Sequence, residues 1–569
     1  MPTVPMNLLF DDIDVLETVG DPSAVDVGGI AHDSRRVVPG DLFCCVQGLV
    51  SDGHAYAAEA VERGAVSVLC EHFIPELLGG SVAQARIAPG TMRRVMARIA
   101  AIFYGFPARE LLMVGVTGTN GKTTVTQLLG DLLSAAGCPT NVVGTLSGAR
   151  TTPESTELER VLAGVRDRQQ SDGLRHAVAM EVSSHALVQA RVEGIHFDVA
   201  VFTNLSHDHL DYHGTMEQYF EAKSELFAPS HALCGVVYAD DPWGRRLLAQ
   251  ARIPMVAVHH SDATDIVLLP GQTEFTWRGH RITTPLTGAV NVDNALLAAE
   301  TALALDLSPE EIAHAMGHLS PVPGRLQVIA APDGGVAGRS VPSGFPVAER
   351  PPFTVLVDYA HTPAGLEIVL GEARNLAPGG RVVCVFGCGG DRDRTKRPVM
   401  GGVAVRDSNL AFLTSDNPRR EDPDAIIDEV LGGIDGGRDN ARVVVEPDRR
   451  AAIRRALAAA QPGDIVVIAG KGHETYQEIA GQRLPFDDAS EARDALAASF
   501  SSDPSTWVPN DVMRSASSPL PLLQPSSERS PEASSEPSSE PTSESSSEGP
   551  SASLSPNPPG AASRSTAKG

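Results

Sequence analysis

LLMVGVTGTNGKTTVTQLLGDLLSAAG, residues 111–137, decides the fold. It opens as an apolar run ending at Gly118, the pattern of a strand buried on both faces. From Thr123 the apolar residues recur at helical spacing and stop at Gly137, which predicts a helix. Between the two lies Gly118-Thr119-Asn120-Gly121-Lys122-Thr123-Thr124. Gly118 and Gly121 let the backbone approach phosphate oxygens, with its amides pointing inward. Lys122 suits the β- and γ-phosphates, the Thr123 hydroxyl suits Mg²⁺, and the helix N-terminus favours an anion. The strict pattern GxxxxGK[ST] fails, because Val116 stands six positions before Lys122; the shorter GxxGKT is present. An ATP-binding loop is expected, the alternative being a plain glycine-rich turn.

The same alternation continues outward. AVAMEV (177–182) and DVAVFTN (198–204) read as buried strands, as do TVLVDYA (354–360), RVVCVFG (381–387), NLAFLTS (409–415) and DIVVIAG (464–470). Most precede a helical segment, such as PAGLEIVLGEARNL (363–376) or DPDAIIDEVLGGI (422–434). Strands alternating with helices imply parallel, doubly wound sheets. We therefore expect a smaller mixed domain over 1–108 and two α/β domains over 109–330 and 331–502. The Gly/Pro-rich stretch from Ala331 to Phe353 reads as a surface insertion or linker. Residues 503–569 are rich in Ser, Pro and Glu and should be disordered, because they cannot bury enough apolar surface to offset chain entropy.

Composition narrows the function. At roughly 100–200 residues per domain, 569 residues fit three domains and a tail. The net charge of −25 argues against a nucleic-acid coat or an anionic-membrane binder, which need a basic face. Only 5% of residues are aromatic, too few for a platform that stacks single strands. Seven cysteines, none in a CxxC pair, fit buried thiols in a reducing compartment. The first twenty residues lack a basic region followed by an apolar core, and no run of about 18 apolar residues occurs. A cytoplasmic protein with no membrane span is expected.

The unusual polar clusters nearly all follow strand ends: residues 118–124, 181–185 (EVSSH), 203–213 (TNLSHDHLDYH), 358–363 (DYAHTP), 387–398 (GCGGDRDRTKRP), 414–422 (TSDNPRRED) and 470–475 (GKGHET). In open α/β sheets that is where ligands bind. Glu181 and the imidazoles of 203–213 suggest a second metal site beside the phosphate loop. Spacing alone does not choose among the histidines, and capping or core roles remain the alternative.

In this order, GTNGKTT, TTPES (151–155), MEVSSHALVQARV (180–192), FTNLSHDHLDYHGTMEQYFEAKSELF (202–227), NVDNALLA (291–298), PGRLQVI (323–329), VDYAHTP (357–363), DNPRRED (416–422) and GKGHETY (470–476) resemble the Mur ligase family of ATP-dependent amino-acid ligases, over residues 1–500. The resemblance is to the branch that adds meso-2,6-diaminopimelate to UDP-N-acetylmuramoyl-L-alanyl-D-glutamate. It implies an α/β chain of three domains: a mixed UDP-binding domain, a P-loop ATPase with a parallel sheet, and a Rossmann-like domain. It implies Lys122, Lys223, Glu181 and His209 as the catalytic set. Thr123, Glu181, His209 and a carbamylated Lys223 would hold Mg²⁺. By itself Lys223 looks like a surface lysine on a helix; an anionic carbamate could serve a metal where an ammonium could not. Asn294, Arg325, Asp358 and His361 would meet the nucleotide.

The resemblance further places Asp33, Ser34, Thr151, Thr152, Ser183, Gln189 and Arg191 at the UDP-muramoyl dipeptide, with Leu49 standing where the family can carry a histidine. Arg392, Asp416, Asn417, Pro418, Arg419, Gly470 and Glu474 would bind diaminopimelate. The physics agrees for Arg419, since an arginine fork can read the far carboxylate that lysine lacks. The implied chemistry is an acyl phosphate captured by an amine, with the C-terminal domain closing to exclude water. The implied protein is a monomer whose partners are ATP and the two substrates. A folylpolyglutamate synthase or another Mur ligase should lack DNPRRED and DSRRVVPGDLF (33–43); a P-loop switch should show a strict Walker pattern; an inactive scaffold should have lost Lys122, Glu181, His209 or Lys223.

Overall fold

The computed structural model describes residues 3–48, 51–80, 82–148, 150–329 and 353–500. Leu49, the stretch 331–352 and the tail 503–569 lie outside them. Among the described residues no helix is long and apolar enough to cross a membrane.

The predicted phosphate-loop strand is Leu112–Thr117, all six residues buried, and the helix is Lys122–Ala135. The strand sits inside a six-stranded parallel sheet in the order Met255–Val258, Ala232–Tyr238, Phe197–Phe202, Leu112–Thr117, Ala177–Glu181, Thr140–Val143. Continuous apolar runs fit because helices cover both faces. The chain leaves Leu112–Thr117 toward one edge and later returns to build its other side. That reversal opens a crevice at the carboxyl end of the strand. Register places Glu181 opposite Val116 on one side and Phe202 opposite Thr117 on the other. The glycine loop therefore emerges between Glu181 and the polar run from Thr203. A three-stranded antiparallel sheet, Ala263–Leu269, Gln272–Trp277 and His280–Thr284, also belongs to this region; the strand–helix alternation did not announce it.

The third sheet runs Gln327–Val328, Thr354–Asp358, Ile465–Ala469, Val382–Phe386, Leu410–Leu413, Val443–Val445, and all but the first strand are parallel. Its edge strand thus comes from PGRLQVI, upstream of residue 331. The first sheet has five short strands, with Val15–Val19 antiparallel to Ala83–Ile87 and the rest parallel. Its seam with the central region carries ion pairs: Arg93 to Glu154 at 3.0 Å, and Arg36 to Glu157.

Candidate active site

Neither glycine of the loop at 118–121 has room for a side chain. Gly118 has φ +141°, and a Cβ there would lie 1.9 Å from Thr203 Oγ1; Gly121 has φ +84°, and its Cβ would meet Asn294 Oδ1 at 2.6 Å. Backbone and hydroxyl groups hold the loop open. Thr119 N–H donates to Asn204 O at 2.8 Å, Asn120 N–H to Asn204 Oδ1 at 3.0 Å, and Thr203 Oγ1 to Asn120 O at 2.6 Å. Lys122 Nζ folds over the loop and donates to Gly118 O at 2.9 Å and Thr119 O at 2.8 Å. Burial lowers its pKa, opposed by Glu181 and Asp208. An anion seated on the loop would supply the partner that these two carbonyls now provide. Thr124 is buried in the first helical turn.

Glu181 is 1% exposed at its strand end. Its Oε1 accepts from Thr123 Oγ1 at 3.0 Å and from Thr145 N–H at 2.7 Å. Arg325 reaches the same Thr123 Oγ1 at 3.1 Å. His209 is exposed and holds the left-handed conformation, φ +53°. Partial desolvation lowers its pKa, Asp208 opposing and the two lysines adding to the shift. Thr123, Glu181, Asp208, His209, Asn294, Arg325, Asp358 and His361 all line one cavity of about 530 Å³ with residues 119–124 and Thr151. A hydroxyl, two carboxylates and an imidazole form an oxygen-rich set that fits a hard cation such as Mg²⁺.

Lys223 departs from its surface appearance. It is 1% exposed, donates to Gly118 O at 2.8 Å, and lies 4.7 Å above the Tyr219 ring. Burial, with Lys122 nearby, depresses its pKa well below the usual lysine value. Asp358 accepts from Leu326 N–H at 2.7 Å and Ala360 N–H at 2.8 Å, so its half-buried carboxylate clamps the connection into the third sheet; desolvation raises its pKa. His361 Nδ1 faces Tyr359 O at 2.9 Å, and burial lowers its pKa.

The residues expected at the dipeptide are placed differently. Thr151 reaches the cavity, where its Oγ1 lies 3.1 Å from Thr145 Oγ1. Thr152 donates to Glu181 O at 2.8 Å and accepts from Ser183 N–H at 3.1 Å, bracing the end of the strand Ala177–Glu181. Ser183 caps a short helix. Arg191 donates from Nη1 to Thr152 O at 2.9 Å and from Nη2 to Gln189 Oε1 at 2.7 Å, and pairs with Glu154 at 2.9 Å, while its buried Nε has no hydrogen-bond partner. Ser34 is buried in the first domain and donates to Glu59 at 3.1 Å; the neighbouring Arg35 holds Asp33 down at about 2.

Beside the cavity, at the carboxyl edge of the third sheet, Asn417 Nδ2 donates to Glu474 Oε2 at 2.7 Å. Arg419 has φ +54° and donates to Gly390 O, the residue after Gly389, at 2.7 Å. Pro418 O packs on Gly390, and Gly470 N–H donates to Asp358 O at 3.1 Å. Arg392 is exposed and donates to Asp391 O. Asp416 is buried, and its Oδ1 has no hydrogen bond, only the Lys471 ammonium at 3.7 Å. None of these lines the nucleotide-sized cavity. Tyr359 connects the two places: its ring meets Arg325 at 4.6 Å and the His473 ring at 5.1 Å.

Sequence reasoning passed over Asp208, Thr145, Tyr359 and Lys471. All but Thr145 stand inside motifs quoted above, yet only contacts reveal what they hold. A further donor group, Asp52, His54 and His72, lies in the first domain. His54 uses both nitrogens, on Asp52 at 2.6 Å and Glu71 N–H at 3.0 Å, and stacks nearly parallel on His72. Lone pairs in parallel rings do not converge, so this group is not a metal centre.

Family profiles match along the chain: "Mur ligase family, catalytic domain" at 26–104, "Mur ligase middle domain" at 116–302 and "Mur ligase, glutamate ligase domain" at 345–472. A UDP-N-acetylmuramoyl-L-alanyl-D-glutamate–2,6-diaminopimelate ligase of Gloeobacter violaceus is 42% identical over 494 residues, covering 83% of this chain and 94% of its own. The chain belongs to the Mur ligase family. The ligase of the same name from Geobacillus thermodenitrificans is also 42% identical, over 83% of this Mur ligase and 95% of its own length. A solved structure bearing that enzyme name aligns with TM-score 0.57 and 31% identity, covering 87% of this chain and 99% of that one. A MurF from Acinetobacter baumannii, 19% identical with TM-score 0.58, shares the three-domain fold.

Proposed function

We propose that this Mur ligase uses ATP to join meso-2,6-diaminopimelate to UDP-N-acetylmuramoyl-L-alanyl-D-glutamate, a step of peptidoglycan synthesis. The observation that carries the reading is the near end-to-end match, at 42% identity, to ligases of that name. The folded Asp416-Asn417-Pro418-Arg419 run supports the choice of amino acid.

A carboxylate is inert to amines at neutral pH, so the D-glutamate carboxylate first attacks the γ-phosphorus of ATP in line. Residues 118–121 cradle the phosphates, and Lys122 exchanges its two carbonyl partners for phosphate oxygens as charge builds. Thr123, Glu181 and His209, with a carbamate on Lys223, are the residues to hold Mg²⁺, which when bound neutralises phosphate charge. The depressed pKa of Lys223 supports that modification, because only a neutral amine adds carbon dioxide. Asn294, Arg325, Asp358 and His361 border the nucleotide. Thr151, Thr152, Ser183, Gln189, Arg191 and Ser34 are the positions for the dipeptide and its uridine end. Asp416, Asn417, Glu474 and Gly470 take the ammonium side of diaminopimelate, and Arg392 and Arg419 its carboxylates. The first attack breaks the bond between the γ-phosphorus and the β-phosphate oxygen and frees ADP; the amine then attacks the acyl carbon, phosphate leaves, and the nitrogen loses a proton as the amide forms.

The test is phosphate release by the purified chain, run with meso-diaminopimelate and with lysine. Release requires both the UDP-dipeptide and diaminopimelate, and lysine supports it poorly. Release without the dipeptide, or equal use of lysine, overturns the reading.

A further inference from the structure

We propose that Lys471 is the positioning residue of the acceptor pocket: a buried cation that orients Asn417 and Glu474 and leaves Asp416 open for the incoming ammonium. The proposal rests on the amino-acid ligase reading above and adds a residue to it.

Lys471 has no exposed side-chain surface. Its Nζ donates to Asn417 Oδ1 at 3.1 Å and to Glu474 Oε2 at 3.1 Å, and lies 3.7 Å from Asp416 Oδ1. These contacts fix the Asn417 amide. Its Oδ1 takes Lys471 and the Glu478 N–H at 2.9 Å, while its Nδ2 donates to the Glu474 oxygen that Lys471 also holds. A flipped amide would set NH₂ against an ammonium and oxygen against a carboxylate. The cation therefore permits one orientation only. With Glu474 Oε2 occupied twice, Oε1 is left for another donor.

Charge leads to the same place. One ammonium faces two carboxylates, Asp416 and Glu474, so the cluster carries one uncompensated negative charge. Asp416 is 7% exposed and its Oδ1 has no hydrogen-bond partner. The one cation beside that oxygen, Lys471, stands at 3.7 Å, beyond hydrogen-bond reach, and a buried carboxylate oxygen with no donor is costly until a second cation arrives. The group that satisfies both the orphan oxygen and the missing charge is a primary ammonium, the head of an amino acid.

The experiment is steady-state kinetics of the full chain and its Lys471→Met and Lys471→Gln variants, with thermal unfolding of each. Lys471→Met raises KM for diaminopimelate at least about tenfold, with KM for ATP and the UDP-dipeptide within about twofold; Lys471→Gln, which keeps a donor, falls between. Adding Glu474→Gln to Lys471→Met costs less than Glu474→Gln alone, because the two act through one contact. An unchanged diaminopimelate KM in a folded variant overturns the proposal. So does a parallel rise in all three KM values, or failure of both variants to fold. No turnover by the unsubstituted chain with diaminopimelate instead faults the functional reading, so the two failures are distinguishable.

Discussion

Lys223 shows how far one residue can stray from its sequence. In FEAKSELF (220–227) Lys223 reads as a surface lysine on a helix, yet it is buried against the phosphate loop. Unfolded, its amine binds a proton below the ordinary value of 10.5; folded, it does so only well below that. As pH falls from 10.5, the unfolded chain takes up a proton that the folded chain refuses, so stability is lost. Lys223→Met removes this penalty. In buffer free of carbon dioxide, the melting temperature of the variant minus that of the parent is expected to be largest near neutral pH and to shrink as pH approaches about 10. A difference independent of pH would contradict the desolvated amine. The same variant abolishes phosphate release. At Arg419 the expectation is specificity: Arg419→Ala lowers kcat/KM for diaminopimelate at least about tenfold, since a charged hydrogen bond is worth roughly 1.5–3 kcal/mol. Unchanged kinetics would remove this arginine from recognition.

At the scale of elements, a fully buried ion pair stands behind the acceptor loops. Arg449, on the helix Arg449–Ala459, meets Asp488, on the helix Asp488–Phe500, through two bonds of 2.7 Å. Arg449 also donates to Ala469 O at 2.9 Å, the last residue before Gly470-Lys471. Asp488→Asn leaves a buried guanidinium half-paired and is expected to cost about 3–5 kcal/mol, read from urea unfolding; a loss below about 1 kcal/mol would show the pair to be solvated. The central and C-terminal strands were legible because parallel strands buried on both faces write continuous apolar runs. The antiparallel sheet of 263–284 was not, although Gln272–Trp277 alternates in burial as a half-exposed strand should. Short strand signals inside an α/β pattern are easily absorbed into connections.

Across the whole molecule, two sheets present their carboxyl ends to one cleft. The connection between them is clamped by Asp358 on Leu326 and by Tyr359 N–H on Gly324 O at 2.9 Å. Arg325, on that connection, touches Thr123 of the phosphate loop and the Tyr359 ring. A nucleotide reaching Thr123 must displace or recruit Arg325, which ties loading of the loop to the position of the C-terminal domain. Small-angle scattering of the full chain is expected to show a smaller radius of gyration with a non-hydrolysable ATP analogue and both substrates than without them. Identical dimensions would count against closure.

The order of strands and helices, the glycine loop and the succession of polar strand ends follow from the sequence, because periodicity and backbone freedom are local properties. Which of those polar residues become partners does not. The burial of Lys223, the twofold use of Glu474 Oε2 by Asn417 and Lys471, and the Asp416 oxygen without a hydrogen bond depend on segments 54 to 105 residues apart. Desolvation and hydrogen-bond geometry depend on what surrounds a group in space, and only the packed chain sets that.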